Sequence, residues 1–391
     1  MVTWAKEVSP VWRRGLIASA RDSVSRRPHR AGDWHVLARL LIDDGRLEDA
    51  EQALCECAAQ LPSNSKTWLL LADVRRRLGD ADCAMVALDT ALSHAPHDRE
   101  AALRRFDLCV TLGRWEQVTP DLPEIAAKAP ARGSVILAHA HLARANGDPQ
   151  RLLSACDAAL ARQPGHTAAL HHKAVALSML GRSAEARAVI RFDDFVSVGG
   201  LPLGEDGADG ATFLDAVAAE ILRNPTLAPD PHGKATRHGL QTRTLVQAGD
   251  VAAPRLLDQI RSAVDRYVEA LPDLSHPFAT ARPALVRLDA WAVVCQHDGH
   301  QRSHLHPNGW MSGVAYVTAP RPAGEASHPG PLVIGEVDAV THPAPPPWGT
   351  REVAPVPGRI ALFPSFVPHA TRPTHHAEQR ICVAFDVTPI Q

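Results

Sequence analysis

Two histidines one residue apart are the first place in this chain where chemistry is implied. Ser303-His304-Leu305-His306-Pro307 sets imidazoles at i and i+2, and on extended backbone both point to the same side. Two imidazoles on one face are a natural chelate for a metal ion. A third histidine, His369, lies in Phe363-Pro364-Ser365-Phe366-Val367-Pro368-His369, just past the apolar run Arg359–Phe363. Arg380 then opens Arg380-Ile381-Cys382-Val383-Ala384-Phe385-Asp386-Val387. As a strand, this segment puts Ile381, Val383, Phe385 and Val387 on one face and Arg380, Cys382, Ala384 and Asp386 on the other. An arginine followed by small residues on an inward face suggests a cavity with a guanidinium at its base. That group suits bidentate capture of a carboxylate.

Such side chains need a rigid carrier. From about Ala284 the pattern is one of short alternating runs broken by Pro and Gly, at 285–294, 311–318, 331–335, 359–363 and 380–388. Many short strands with turn signals between them predict a β-sandwich or barrel. Two stretches of helical period precede them: 213–223 (Phe213, Leu214, Val217, Ala218, Ile221, Leu222) and 255–271 (Leu256, Leu257, Ile260, Ala263, Val264, Tyr267, Val268). They are expected to cover one sheet. Pro343, Pro345, Pro346 and Pro347 mark a long loop.

The first half is organised differently. Gly45, Gly79, Gly113, Gly147 and Gly181 recur every 34 residues, as do Pro62, Pro96, Pro130 and Pro164. A 34-residue period is that of the tetratricopeptide repeat, a helix–turn–helix unit. Each Gly stands where a first helix must end, and each Pro follows a second helix. Ala50, Ala84 and Ala186, and in another register Ala38, Ala72, Ala140 and Ala174, let paired helices approach closely. The units run 31–64, 65–98, 99–132, 133–166 and 167–190, the third being degenerate, with Phe106 and Val118 at small positions. The expected layout is therefore an α+β chain in two parts. An all-α tetratricopeptide superhelix spans 1–192, a Gly/Asp-rich linker spans 193–212, and a β-rich domain with covering helices spans 213–391. A superhelix of this kind offers a concave groove for a peptide or helix, the alternative being a scaffold or dimerisation arm.

The order of His304, His306, His369 and Arg380 resembles that of the Fe(II)/2-oxoglutarate dioxygenases. The sequence resembles in particular a bacterial branch of 2-oxoglutarate/Fe(II) oxygenases that carries N-terminal tetratricopeptide repeats. The matching stretches are His304-Leu305-His306-Pro307-Asn308-Gly309-Trp310-Met311-Ser312-Gly313-Val314-Ala315-Tyr316-Val317, then Pro357–Ser365, then His369 and Arg380–Asp386. Asn224-Pro225-Thr226-Leu227 and Lys234-Ala235-Thr236 resemble it too. The resemblance implies a double-stranded β-helix (jelly roll) with Fe(II) at one end. It implies His304, His306 and His369 as metal ligands, 2-oxoglutarate and O₂ as cosubstrates, and Arg380 as partner of the far carboxylate. Tyr316 would add a hydroxyl to that cosubstrate, unless it is an ordinary core tyrosine. Arg372 is an alternative anchor. The wider superfamily has Asp or Glu where this chain has His306. Either three histidines bind, or His304 and His369 bind alone and the third position is water or another carboxylate, the nearby ones being Asp298, Glu325, Glu336 and Asp338.

The implied activity is hydroxylation of a C–H in a protein or peptide recruited by the repeats. Two alternatives remain: a peptide-binding adaptor whose metal-binding barrel is catalytically silent, and a three-histidine dioxygenase that does not use 2-oxoglutarate. Composition bounds these readings. With 391 residues, 41 Lys+Arg against 43 Asp+Glu and a net charge of −2, the chain lacks the basic excess of a phosphate-tracking protein, so no nucleic-acid partner is expected. No apolar run reaches the ~18 residues of a membrane helix, and Met1–Arg14 has no apolar core of a secretory signal. The 7 scattered cysteines form no CxxC pair and read as buried free thiols in a reducing cytoplasm. The oligomeric state is not encoded in any of these features.

Overall fold

The computed structural model describes residues 2–5, 10–203, 207–230, 234–272, 275–321, 330–337 and 345–390. Pro343, Glu325 and Asp338 lie outside them. The chain divides into two compact units: Lys6–Ala129, and Met1–Ala5 together with Pro130–Gln391.

The helical half follows the two ladders closely. All five ladder glycines have positive φ, between 64° and 88°, the left-handed geometry that ends a helix without a Cβ penalty. The helices Leu47–Gln60, Ala81–His94, Leu122–Lys128 and Pro149–Arg162 each stop two residues before a ladder proline. In the degenerate third unit the second helix is split into Trp115–Val118 and Leu122–Lys128, because Pro120 and Pro123 interrupt its hydrogen-bond ladder. The Lys6–Ala129 unit has its own core, with Trp34, Leu41, Leu54 and Leu71 at its centre.

The second unit holds the helices Gly133–Asn146, Pro149–Arg162, Thr167–Met179 and Ser183–Ile190, and then the sheets. Its strands are β1 (Thr3–Trp4), β2 (Ser197–Gly200), β3 (Ala228–Pro229), β4 (Thr236–Gln241), β5 (Leu285–Gln301), β6 (Met311–Thr318), β7 (Leu332–Ile334), β8 (Arg351–Val353), β9 (Arg359–Pro364), β10 (His369–Thr371) and β11 (Arg380–Pro389). The larger sheet runs β2-β9-β6-β11-β5-β4-β3, with β1 added parallel to β5; the smaller runs β10-β7-β8. Apart from β1 every pairing is antiparallel, as a jelly roll requires. The helices Gly207–Leu222 and Ala252–Ala270 supply the expected apolar faces. One continuous core joins them, the repeat helices 133–190 and the larger sheet.

Two features depart from the sequence reading. Residues 197–200, inside the stretch read as linker, pair with β9 as an edge strand. All four are exposed, so the strand is held by backbone bonds and shows no apolar alternation. Also, Cys55 and Cys83 are exposed, while the other five cysteines are buried and all seven are free.

The centre of the sheet is packed tightly at Gly313 on β6. A Cβ there would run into the Phe385 ring of β11 and come within 2.7 Å of the Ala361 carbonyl on β9. Gly313→Ala should therefore lower unfolding free energy by about 1–3 kcal/mol, read as a shifted urea midpoint. An unshifted midpoint would contradict the packing described for β6, β9 and β11.

Candidate metal centre

β5 ends at Gln301, and the chain continues as irregular backbone through 302–310. His304 and His306 are thus not on one regular strand, as their spacing had suggested. His304 is instead pinned to His369 of β10 by an antiparallel bridge, its N–H donating to the His369 carbonyl at 3.1 Å and its carbonyl accepting from the His369 N–H at 3.2 Å. The His306 N–H donates to Ser365 at 3.4 Å, and Trp310 donates to Val387 at 3.0 Å. The loop thereby carries both rings to His369. Ring centroids lie 4.3 Å apart for His304 and His369, 4.9 Å for His304 and His306, and 5.0 Å for His306 and His369. One ring nitrogen from each lies within 4.8 Å of the others, close enough for all three to hold one ion.

The tautomers follow from the acceptors. His304 Nδ1 faces the Arg302 carbonyl at 2.8 Å, His306 Nδ1 faces Asp386 Oδ2 at 2.8 Å, and His369 Nδ1 faces the Val367 carbonyl at 3.4 Å. Carbonyls and carboxylates only accept, so each Nδ1 carries a proton and each ring offers Nε2. Burial pushes His304 down to about 4, with His306 adding to the effect. His369 is held well below the usual imidazole range by burial first and by His304 and His306 next. Both rings are therefore neutral near pH 7, the protonation state a metal ligand needs. Phe363 packs at 4.7 Å from His369, and Trp291 stacks on His306 at 5.6 Å, shielding the rings from water.

A second polar feature lies two residues along β10. Arg380 is 1% exposed. It donates to the carbonyls of Gly330 and Arg372 and to Thr371 Oγ1. Among the described residues no carboxylate pairs with it, so its charge is buried without a counter-ion, which is costly unless a ligand supplies one. Tyr316, also 1% exposed, pairs in register with Cys382 on β11. Its hydroxyl completes no hydrogen bond, although the Leu332 backbone and the Arg380 charge are near it, and burial raises its pKa. A buried hydroxyl lacking a partner beside an uncompensated guanidinium fits a bound carboxylate. Thr371, which Arg380 touches, is two residues from His369, or about 6–7 Å along the strand.

The other candidates fall away. Asp298 is a surface group near His375. Glu336 is engaged bidentately by Arg372, which also removes Arg372 as the free anchor. Sequence reasoning missed Asp386 as part of the centre. Alternation placed it on the inward face of β11, but its partner His306 is 80 positions away on backbone that is not a strand.

Residues 289–386 match the family described as "Putative 2OG-Fe(II) oxygenase", and residues 31–74 match the tetratricopeptide repeat. The chain carries an oxygenase-family domain toward its C-terminus and tetratricopeptide repeats toward its N-terminus. No curated protein matches it. Among solved structures, a Pseudomonas putida prolyl-4-hydroxylase is 18% identical, with 54% of this chain and 100% of that one covered and a TM-score of 0.35. A Trichoplax adhaerens prolyl hydroxylase in complex with a hypoxia inducible factor peptide is 10% identical, covering 54% and 92% at a TM-score of 0.36. A tetratricopeptide repeat protein from Parabacteroides merdae is 19% identical, covering 46% and 71% at 0.38. The donor set here, three imidazoles each offering a ring nitrogen within 4.8 Å of the others, suits a first-row ion such as Fe(II).

The buried imidazoles make the metal-free protein sensitive to acid. His304 falls from 6.5 to about 4, as does His172 in the repeat helix 167–179. Between those values the unfolded chain binds protons that the folded chain refuses, so stability present above about pH 6.5 is lost as pH falls toward 4. At pH ~5 the loss should be about 2 kcal/mol from His304 alone. Urea midpoints at pH ~7.5 and ~5 measure it, and equal midpoints would contradict the burial of these rings in the neutral form.

Proposed function

We propose that this protein is an Fe(II)- and 2-oxoglutarate-dependent dioxygenase that hydroxylates a C–H of a protein or peptide brought to the barrel by the repeats. The observation that carries the reading is the pairing of two features: three imidazoles with Nε2 free to converge, and, near them, a buried guanidinium and hydroxyl that meet no carboxylate among the described residues. Bound iron and 2-oxoglutarate would supply the oxidation, the cosubstrate being decarboxylated to succinate and CO₂ as O₂ is consumed. The rest is the work of this chain's residues. His304, His306 and His369 hold the metal from one side and leave its other positions for ligands. Arg380 and Tyr316 seat the far carboxylate of the cosubstrate and fix its direction. Phe363 and Trp291 keep water from the rings.

Recruitment through the repeats, residues 1–192, rests on the groove such arrays form and on one contact inside the second unit. Thr167, at the start of the fifth repeat, donates its hydroxyl to the Gly309 carbonyl at 3.0 Å, three residues from His306. A substrate held along that repeat would lie close to the metal loop. The barrel domain of the reading is 213–391. A cytoplasmic setting accords with seven free cysteines, and among the described residues no helix is long and apolar enough to cross a membrane.

One observation favours a second reading: among the described residues no carboxylate is one of the converging donors. A three-histidine dioxygenase that cleaves its substrate without a cosubstrate would have such a set. The two differ in whether 2-oxoglutarate changes the spectrum of the bound metal.

Succinate release with Fe(II), 2-oxoglutarate, O₂ and candidate peptides tests the main reading. Arg380→Gln should raise the KM for 2-oxoglutarate about tenfold or more, the worth of a charge-assisted hydrogen bond. A wild-type KM in that variant would remove Arg380 from the role. Tight peptide binding with no 2-oxoglutarate consumption under any condition would point to a silent adaptor instead.

A further inference from the structure

We infer that Asp386 is a positioning residue for the metal. It fixes the ring of His306 and returns, one bond further out, the negative charge that a carboxylate ligand would have brought. This rests on the metal-centre reading above.

The geometry is specific. Asp386 Oδ2 accepts from His306 Nδ1 at 2.8 Å, and Oδ1 accepts from Ser312 Oγ at 2.6 Å. Ser312 Oγ in turn bonds Ser365 Oγ at 2.7 Å, and Ser365 is the residue whose carbonyl receives the His306 N–H. The carboxylate is therefore held by Ser312 of β6, itself braced by Ser365, while it holds the ring. The loop can approach this closely only because residue 309 lacks a side chain: a Cβ on Gly309 would strike Ser365 Oγ and sit 3.5 Å from Asp386 Cγ.

Two other roles for Asp386 fit less well. A direct ligand would need its oxygen among the converging donors, and that group holds three histidines and no carboxylate. Its oxygens lie on the Nδ1 side of His306, behind the ring. A purely structural tie between β6 and β11 would not call for a charged group. The side chain is only 15% exposed, and among the described residues neither Lys nor Arg pairs with it. A carboxylate so placed is expensive unless a cation lies close by, and a dication across the imidazole supplies one. The charge in return orients His306 and makes Nε2 a stronger donor. The histidine and aspartate together do the work of the superfamily's single carboxylate, with the anion removed from the metal by the width of a ring.

The test uses the full chain, stripped of metal and titrated anaerobically with Co(II) as a spectroscopic probe and with Fe(II). Wild type, Asp386→Asn, Asp386→Glu and Ser312→Ala are compared, with melting of each apo protein as a check of folding. Asp386→Asn keeps an acceptor but removes the charge, and should weaken binding about 10–100-fold with displaced Co(II) visible bands. Asp386→Glu, which keeps the charge, should recover part of the loss. Ser312→Ala, which leaves the charge in place, should lose less than Asp386→Asn. Wild-type affinity and bands in Asp386→Asn would overturn the inference, as would an equal loss in Ser312→Ala. If the Asn variant does not fold, Asp386→Ser, which also removes the charge, carries the test, and wild-type affinity and bands there would overturn it. A wild-type protein that binds neither ion would sink the metal-centre reading instead.

Discussion

Three imidazoles are turned the same way by groups that can only accept hydrogen bonds, and the rest of the C-terminal unit serves that arrangement. A histidine in water shares its proton between two nitrogens and rotates freely. Here the Arg302 and Val367 carbonyls and the Asp386 carboxylate each claim one Nδ1–H, and burial removes the charged form of His304 and His369. What remains is a set of lone pairs aimed inward from two distant parts of the chain. The backbone bridge between His304 and His369 makes the set independent of side-chain rotation alone.

The two-sheet architecture explains how those parts meet. β10 belongs to the smaller sheet and β11 to the larger, so His369 and Arg380 approach the same space from opposite walls. The loop 302–310 leaves the end of β5, crosses to β10 at His304 and is tied to Ser365 and Val387 before entering β6. Arg380 is anchored by carbonyl and hydroxyl oxygens, which fix its position without neutralising it. A buried charge of this kind lowers stability in the free protein and rewards the arrival of an anion. The repeat helix at Thr167 presses on the same loop, which links the all-α part of the second unit to the centre.

Much of this was legible in the sequence, and the limits have physical causes. The 34-residue ladders specified helix ends because Gly and Pro act through local backbone geometry alone. β6, β9 and β11 were readable as short apolar runs broken by Pro and Gly, and each is buried along nearly its whole length. The edge strand 197–200 was not, because it is held by main-chain bonds with its side chains exposed. Nor was the division of the chain at Ala129/Pro130, inside the repeats, since repeat periodicity continues across it. His304, His306, His369 and Arg380 were nameable from spacing. The partnership of Asp386 with His306 was not, because strand periodicity cannot place a residue on the irregular loop that follows β5. The apparent deficit of a carboxylate in the sequence is, in three dimensions, a carboxylate displaced by one imidazole.

The most direct measurement is X-ray absorption at the iron edge of the anaerobic Fe(II) protein, before and after addition of 2-oxoglutarate. The account predicts the multiple-scattering signature of three imidazoles, with oxygen scatterers gained and the imidazoles retained when the diacid binds. A spectrum fitted by two imidazoles or fewer, or one that 2-oxoglutarate leaves unchanged, would contradict it.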